Sequence, residues 1–156
     1  MTQEIPIRCY MASAVVLEDG PTQPKMLLLR RASEYLNGEW CHVAGKLETG
    51  ETAGQAVLRE IREETGLSVS RLFSADFCEQ FYETHKNAIC IVPAFVAYVD
   101  ADQEVQLNEE HDTCRWVLLA EAAELVPFGG QRKLYAEIQR EFIDREPCSW
   151  LEIDIR

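Results

Sequence analysis

An α/β fold built on a mixed β-sheet is what this 156-residue sequence predicts. Three observations point to it. The length gives one hydrophobic core with room for long loops. Apolar and β-branched stretches alternate with two helical patterns, in the order strands, helix, strands, helix. The first helical pattern is amphipathic and is stopped by a glycine, so one of its faces must lie on a sheet. No repeat or linker breaks this order, and residues 1–156 read as one domain.

Residues 7–18 read as a strand, and 19–24 as a turn carrying Gly20, Pro21 and Pro24. The apolar run 25–31 reads as a buried strand returning as a hairpin partner of the first. A polar loop at 32–39 leads to a short strand at 40–43 and a structured loop at 44–52. A helix is expected at about 52–65, with Thr52 as N-cap. Gln55, at the third position after it, leaves the capping box reading as incomplete. Gly66 should end this helix as the residue just past it. Gly54, Val57, Leu58, Ile61 and Thr65 form its buried stripe. Glu60, Glu63 and Glu64 fall on an adjacent face, shared with Ala53 and Ala56. Strands are expected at 67–73, 76–83 and 88–99, the last nearly all apolar and central. An acidic loop covers 100–112, and a strand 114–118. Helices follow at 119–125 and 129–143, the second burying Leu134, Ile138 and Phe142 beside Tyr135. The tail at 150–155 reads as an added strand or an extended arm.

Composition narrows the function. Apolar residues at 47% and charged residues at 27% are those of a folded protein. The longest apolar run contains Pro93 and is too short to span a membrane. The first ten residues lack a secretory signal, which points to a cytoplasmic protein. The formal charge of -12 argues against a nucleic acid polymer held on a broad basic surface. It leaves room for a phosphorylated small molecule whose charge is met by divalent cations. Cysteines stand at 9, 41, 78, 90, 114 and 148, none in CxxC spacing. They read as reduced, mostly core residues rather than as a zinc or redox site.

The helix at 52–65 carries the chemistry. Glu60, Glu63 and Glu64 stand at i, i+3 and i+4, so three carboxylates share a small patch. Like charges so placed cost a bare helix about 0.2–0.5 kcal/mol per pair. A solvated acidic face compensated by Arg59 and Arg62 is one explanation. A divalent-cation site of hard oxygen ligands is the other.

The wider pattern favours the second. Residues 45–67 read GKLETGETAGQAVLREIREETGL. This resembles the Nudix box, Gx₅Ex₇REUxEExGU with U apolar. Gly45, Glu51, Arg59, Glu60, Ile61, Glu63, Glu64, Gly66 and Leu67 fill every fixed position. The stretches LLLRR at 27–31, Trp40–Gly45 and 109-EEHDTCRWVLLAEAAEL-125 are also similar to the family's approach strand and later acidic loop, strand and helix. The resemblance implies an α/β/α sandwich around a mixed sheet. It also implies hydrolysis of a nucleoside diphosphate linked to another group, with Mg²⁺ or Mn²⁺.

Site roles follow from the resemblance. Glu60, Glu63 and Glu64 are the expected metal ligands, completed by a loop carboxylate, Glu110 or alternatively Glu109, and by the Ala44 backbone carbonyl. Ala44 stands where many members have a second glycine, which raises a question of loop geometry. Glu63 and Glu64 are alternative proton acceptors for the attacking water, and Glu110 is another. Arg59 is expected to orient Glu51 and the carboxylates. For the substrate, Arg30 and Arg31 are candidate phosphate contacts, and Trp40 and Phe128 candidate stacking residues. His111, beside Glu110, is a candidate for the same site, while His42 reads as structural.

The reaction class implied is water attack on a phosphoanhydride of a nucleoside triphosphate or related compound. Dihydroneopterin triphosphate and dinucleoside polyphosphates are the alternative substrates, and a silent nucleotide-binding module the alternative class. The chain is expected to act on a small phosphorylated molecule, as a monomer or homodimer.

Overall fold

The computed structural model describes residues 1–156. Nine strands form one mixed sheet: β1 (Ile7–Arg8), β2 (Met11–Asp19), β3 (Met26–Arg31), β4 (Trp40–Cys41), β5 (Val43–Lys46), β6 (Val69–Glu83), β7 (Ala88–Asp100), β8 (His111–Val117) and β9 (Glu152–Ile153). Three α-helices cover it: α1 (Ala53–Thr65), α2 (Leu119–Leu125) and α3 (Gly129–Ile138).

The sheet is parallel at its centre. β2 runs beside β7 from Ser13 opposite Ala94 to Asp19 opposite Asp100. On its other side β2 meets β3 at one end and β5 at the other, both antiparallel. The hairpin expected between β2 and β3 forms only at Leu17 and Met26; farther along β3, Leu29 and Arg30 pair with β4, while β8 runs along the other edge. Alternate residues of β2 serve two cores. Val15 and Leu17 join Met26, Leu28, Leu134 and Tyr135 under α2 and α3. Ala12, Ala14 and Val16 join Leu27, Val57, Ile61 and Leu67 under α1. The result is the expected α/β/α sandwich.

Several local readings are corrected. The first expected strand is two, since Cys9 and Tyr10 separate β1 from β2. The strand at 40–43 continues past His42 as β5, so 44–46 of the expected loop is sheet. The capping box of α1 is complete: Thr52 Oγ1 accepts from the Gln55 N–H, and Gln55 Oε1 accepts from the Thr52 N–H. Glutamine fills this position as well as glutamate does. The strands expected at 67–73 and 76–83 are one strand, β6, kinked by a bulge between Ser74 and Cys78 where Asp76 has φ 55°. β8 begins at His111, three residues earlier than expected. α3 widens after Ile138 into a π turn at Gln139–Ile143. The tail supplies a strand, β9, on the edge of β6. All six cysteines are free, but only Cys90 is buried, and Cys9, Cys78 and Cys148 are exposed. No helix is long and apolar enough to cross a membrane.

A buried polar network pins the core under α3 to the sheet. His42 Nδ1 lies 2.7 Å from the Tyr135 hydroxyl, and its Nε2 3.2 Å from Glu79 Oε1. The Ser13 hydroxyl donates to the same carboxylate oxygen at 3.0 Å. Burial opposes Glu79's ionisation, but His42 and Ser13 together hold it below the usual carboxylate range. A carboxylate only accepts, so Nε2–H donates to Glu79, while Nδ1 shares a hydrogen bond with the Tyr135 hydroxyl. Tyr135→Phe leaves that nitrogen buried without its hydrogen-bond partner. It should cost about 1–3 kcal/mol, read as a lower urea midpoint with an unchanged m-value.

Candidate active site

Four pieces of chain meet at one end of α1. β5 runs along β2 with Ala44 opposite Ser13 and Gly45 opposite Ala12. α1 lies over it, and the Glu60 side chain occupies the space above Gly45. A Cβ at Gly45 would come within 2.2 Å of Glu60 Cδ. The third piece is the end of β3, where the register shifts between Arg30 and Arg31. The fourth is the segment before β8. The Ala32 N–H donates to the Glu110 carbonyl at 2.8 Å, and the Glu110 N–H donates to Asn108 Oδ1 at 3.0 Å. These bonds carry Glu110 to the acidic face of α1.

Glu64 is the centre of the cluster. Its residue is 4% exposed, and its Oε2 has no hydrogen-bond partner. Burial first, then the charges of Glu60 and Glu110, push its carboxyl up to about 9. Glu60 is also raised by burial, an effect that Arg59 partly offsets. Single donor atoms of Glu64, Glu110 and His111 lie within 4.8 Å of one another. His111 is 5% exposed, and its Nδ1 has no partner. Burial and the Arg31 charge hold its imidazole below the ordinary value.

Arg59 is the organiser. Its Nε donates to Glu51 Oε2 at 2.7 Å and its Nη2 to Glu51 Oε1 at 2.9 Å, a two-pronged pair. Nη2 also donates to the Lys46 carbonyl at 2.9 Å. Nη1 donates to Glu60 at 2.8 Å and to Glu63 at 3.2 Å. Glu51 is held down to about 2 by the Arg59 hydrogen bonds and the Glu48 N–H. One guanidinium thus ties the loop and helix carboxylates to a strand carbonyl. Lysine has one point charge and no fork. Arg59→Lys should therefore lower kcat by at least tenfold with the melting temperature changed by only a few degrees. Steady-state kinetics beside a thermal melt would check it.

The other expected residues are scattered. Arg31 directs its charge toward Glu64, Cys41 and His111 while its guanidinium donates to the Tyr35 carbonyl and Ser33 Oγ. Arg30 instead pairs with Asp112 at 2.8 Å in an exposed position. Trp40 packs toward the α2 and α3 core, with the Arg115 guanidinium 5.8 Å from its ring. Phe128 is exposed at the start of α3. Neither aromatic belongs to the carboxylate cluster. Ala44 sits in regular strand and is not among the residues with positive φ, so alanine fits there without strain. Cys41 was not an expected neighbour, yet its thiol is 3.8 Å from His111 Nε2. Burial is the main cause pushing it up to about 11, so it stays a neutral thiol. The alternation of β4 was its only signal.

A hard divalent cation suits this donor set. The carboxylate oxygens include one that is buried and unpartnered, and a cation would offset the burial and the repulsion that together lift Glu64.

A family model described as the NUDIX domain matches residues 10–145. The chain belongs to the Nudix family of hydrolases. Among individual relatives, a Myxococcus xanthus octanoyltransferase is 38% identical over 122 residues, 77% of this chain. The match spans only 33% of that protein's length. The rat asymmetrical bis(5'-nucleosyl)-tetraphosphatase is 32% identical over 103 residues, covering 65% of this Nudix chain and 69% of the rat protein. Among solved structures, a MutT protein from Methanosarcina mazei superposes with a TM-score of 0.72 at 28% identity, covering 90% of this chain and 98% of that one. A C. elegans Ap4A hydrolase complex gives a TM-score of 0.71 at 23% identity, over 83% and 94% of the two chains, a likeness of fold.

Proposed function

We propose that this Nudix protein hydrolyses a phosphoanhydride of a nucleoside triphosphate or a related nucleoside diphosphate derivative. The observation that carries the reading is Glu64, a buried carboxylate with an unpartnered oxygen beside Glu60 and Glu110. Such a group is costly unless a cation and a substrate use it.

Glu60, Glu63, Glu64, Glu110 and the Ala44 carbonyl are the residues that would hold Mg²⁺ or Mn²⁺. When bound, the cation neutralises phosphate oxygens and makes the attacking water more acidic. Glu63 and Glu64 are the alternative acceptors of that water's proton. Arg59 and Glu51 keep the helix carboxylates in register with the loop. Arg31 brings a positive charge to the same end of the sheet, suited to a phosphate oxygen. Attack at the α phosphorus would form the new P–O bond and break the α–β bridge, giving a nucleoside monophosphate and pyrophosphate. The free cysteines, three of them exposed, support a reducing compartment such as the cytoplasm.

A second substrate reading is favoured by the rat relative, whose name is that of a dinucleoside tetraphosphatase. A panel of nucleoside triphosphates, dinucleoside tetraphosphates and dihydroneopterin triphosphate with Mg²⁺ or Mn²⁺ separates the two. Pyrophosphate and a monophosphate from a triphosphate would support the first reading. Turnover confined to dinucleotides would favour the second. No turnover of any phosphoanhydride would overturn both. In ¹⁸O-water the label should enter the monophosphate, and label in pyrophosphate would move the attack to the β phosphorus.

A further inference from the structure

We propose that His111 supplies a nitrogen ligand to the metal site, so that the site prefers Mn²⁺ and similar transition-metal ions over Mg²⁺. The proposal rests on the carboxylate cluster being a cation site. Its ground is a juxtaposition inside the cluster. Glu64 and His111 are both more than nine-tenths buried, and each carries a polar atom without a partner, Oε2 and Nδ1. One donor atom from each of Glu64, Glu110 and His111 lies within 4.8 Å of the other two.

The chain fixes this arrangement. His111 opens β8 opposite Arg31, and Glu110 directly before it is tied to β3 through the Ala32 N–H. The other face of the imidazole is occupied, since Nε2 lies 3.8 Å from the Cys41 thiol, a weak donor and weak acceptor. Nδ1 is therefore the atom left for another partner. A buried imidazole nitrogen with no partner is costly unless something uses it.

The ligand types decide the ion. Carboxylates alone suit Mg²⁺, which demands hard oxygen donors and keeps its waters. An imidazole added to carboxylates suits first-row transition ions, whose affinity for nitrogen exceeds that of Mg²⁺. The remaining histidines are placed elsewhere. His42 is held by Tyr135 and Glu79, and His85 is exposed in the turn after β6.

Electron spin-echo spectroscopy of Mn²⁺ bound to the full chain tests this without turnover. Wild-type protein should show ¹⁴N modulation from a directly bound imidazole, replaced by the ¹⁵N pattern after labelling with ¹⁵N-histidine. His111→Gln should remove the modulation. It should also weaken Mn²⁺ binding in calorimetry by at least the roughly tenfold that loss of a ligand's supporting partner costs, with Mg²⁺ binding changed less. Because the wild-type spectrum decides, a variant that failed to fold would not remove the test. Bound Mn²⁺ with oxygen-only coupling would overturn the role of His111 and leave the carboxylate site standing. No Mn²⁺ bound to wild-type protein would overturn both.

Discussion

Glu64→Gln is expected to abolish turnover and, in the cation-free protein, to raise stability at neutral pH. The sign follows from the raised carboxyl. In the unfolded chain Glu64 titrates near 4.5, and in the folded chain near 9. Below the lower value both states are protonated and no penalty exists. Between the two values the folded chain keeps a proton that the unfolded chain has released, so stability falls as pH rises. Above about 9 the loss is complete. At pH 7 the penalty is about 3 kcal/mol. Glutamine is nearly isosteric and never ionises, so it escapes this cost while losing the charge that would hold a cation. Melts from pH 5 to 9 in EDTA should show wild-type stability declining against that of the variant. Saturating Mg²⁺ should raise the wild type by about 2.7 kcal/mol at a hundred times its Kd, with a much smaller gain for the variant. A variant less stable than wild type across the whole range in EDTA would contradict the buried-charge account.

Gly45→Ala is the second large effect. The added Cβ would sit 2.2 Å from Glu60 Cδ and 2.3 Å from its Oε1. Those atoms belong to a flexible side chain, so the fold can yield by swinging Glu60 aside. Glu60 would then leave both Arg59 Nη1 and the carboxylate cluster. The expected result is a folded protein with kcat lowered a hundredfold or more, in the range seen when a single electrostatic group is removed from a catalytic site. Circular dichroism would report the retained fold, and Mn²⁺ titration the weakened site. Near wild-type turnover in Gly45→Ala would show that Glu60 does not need its present place.

The sequence carried much of this. The period of α1, its cap at Thr52, its stop at Gly66 and the run of fixed box positions are local signals, each visible within a few turns of chain. The α/β/α layering followed from them and from the apolar β7. Three features were not legible, because they depend on partners far away in sequence. The hydrogen bond from Arg59 Nη2 to the Lys46 carbonyl emerges only when β5 and α1 dock. The burial of Glu64, unlike its neighbour Glu63, depends on Glu110 and His111 arriving from β8. The merging of two expected strands into β6 depends on a bulge at Asp76, whose positive φ no glycine announces. Trp40 and Phe128 show the opposite case: aromatic character is local, but which layer an aromatic serves is decided by the sheet.

The parallel pairing of β2 with β7 also sets the order of events when the chain folds. Ser13 meets Ala94, and Leu28 meets Arg115, so the central sheet closes only after long stretches of chain have been drawn together. The helix that bears most of the box is local and can form early, whereas Glu110 reaches it only through β8. Contacts so distant along the chain slow folding. The site's last carboxylate is therefore delivered by one of the latest steps, and a cation-competent protein should appear in refolding only after most helical signal has returned.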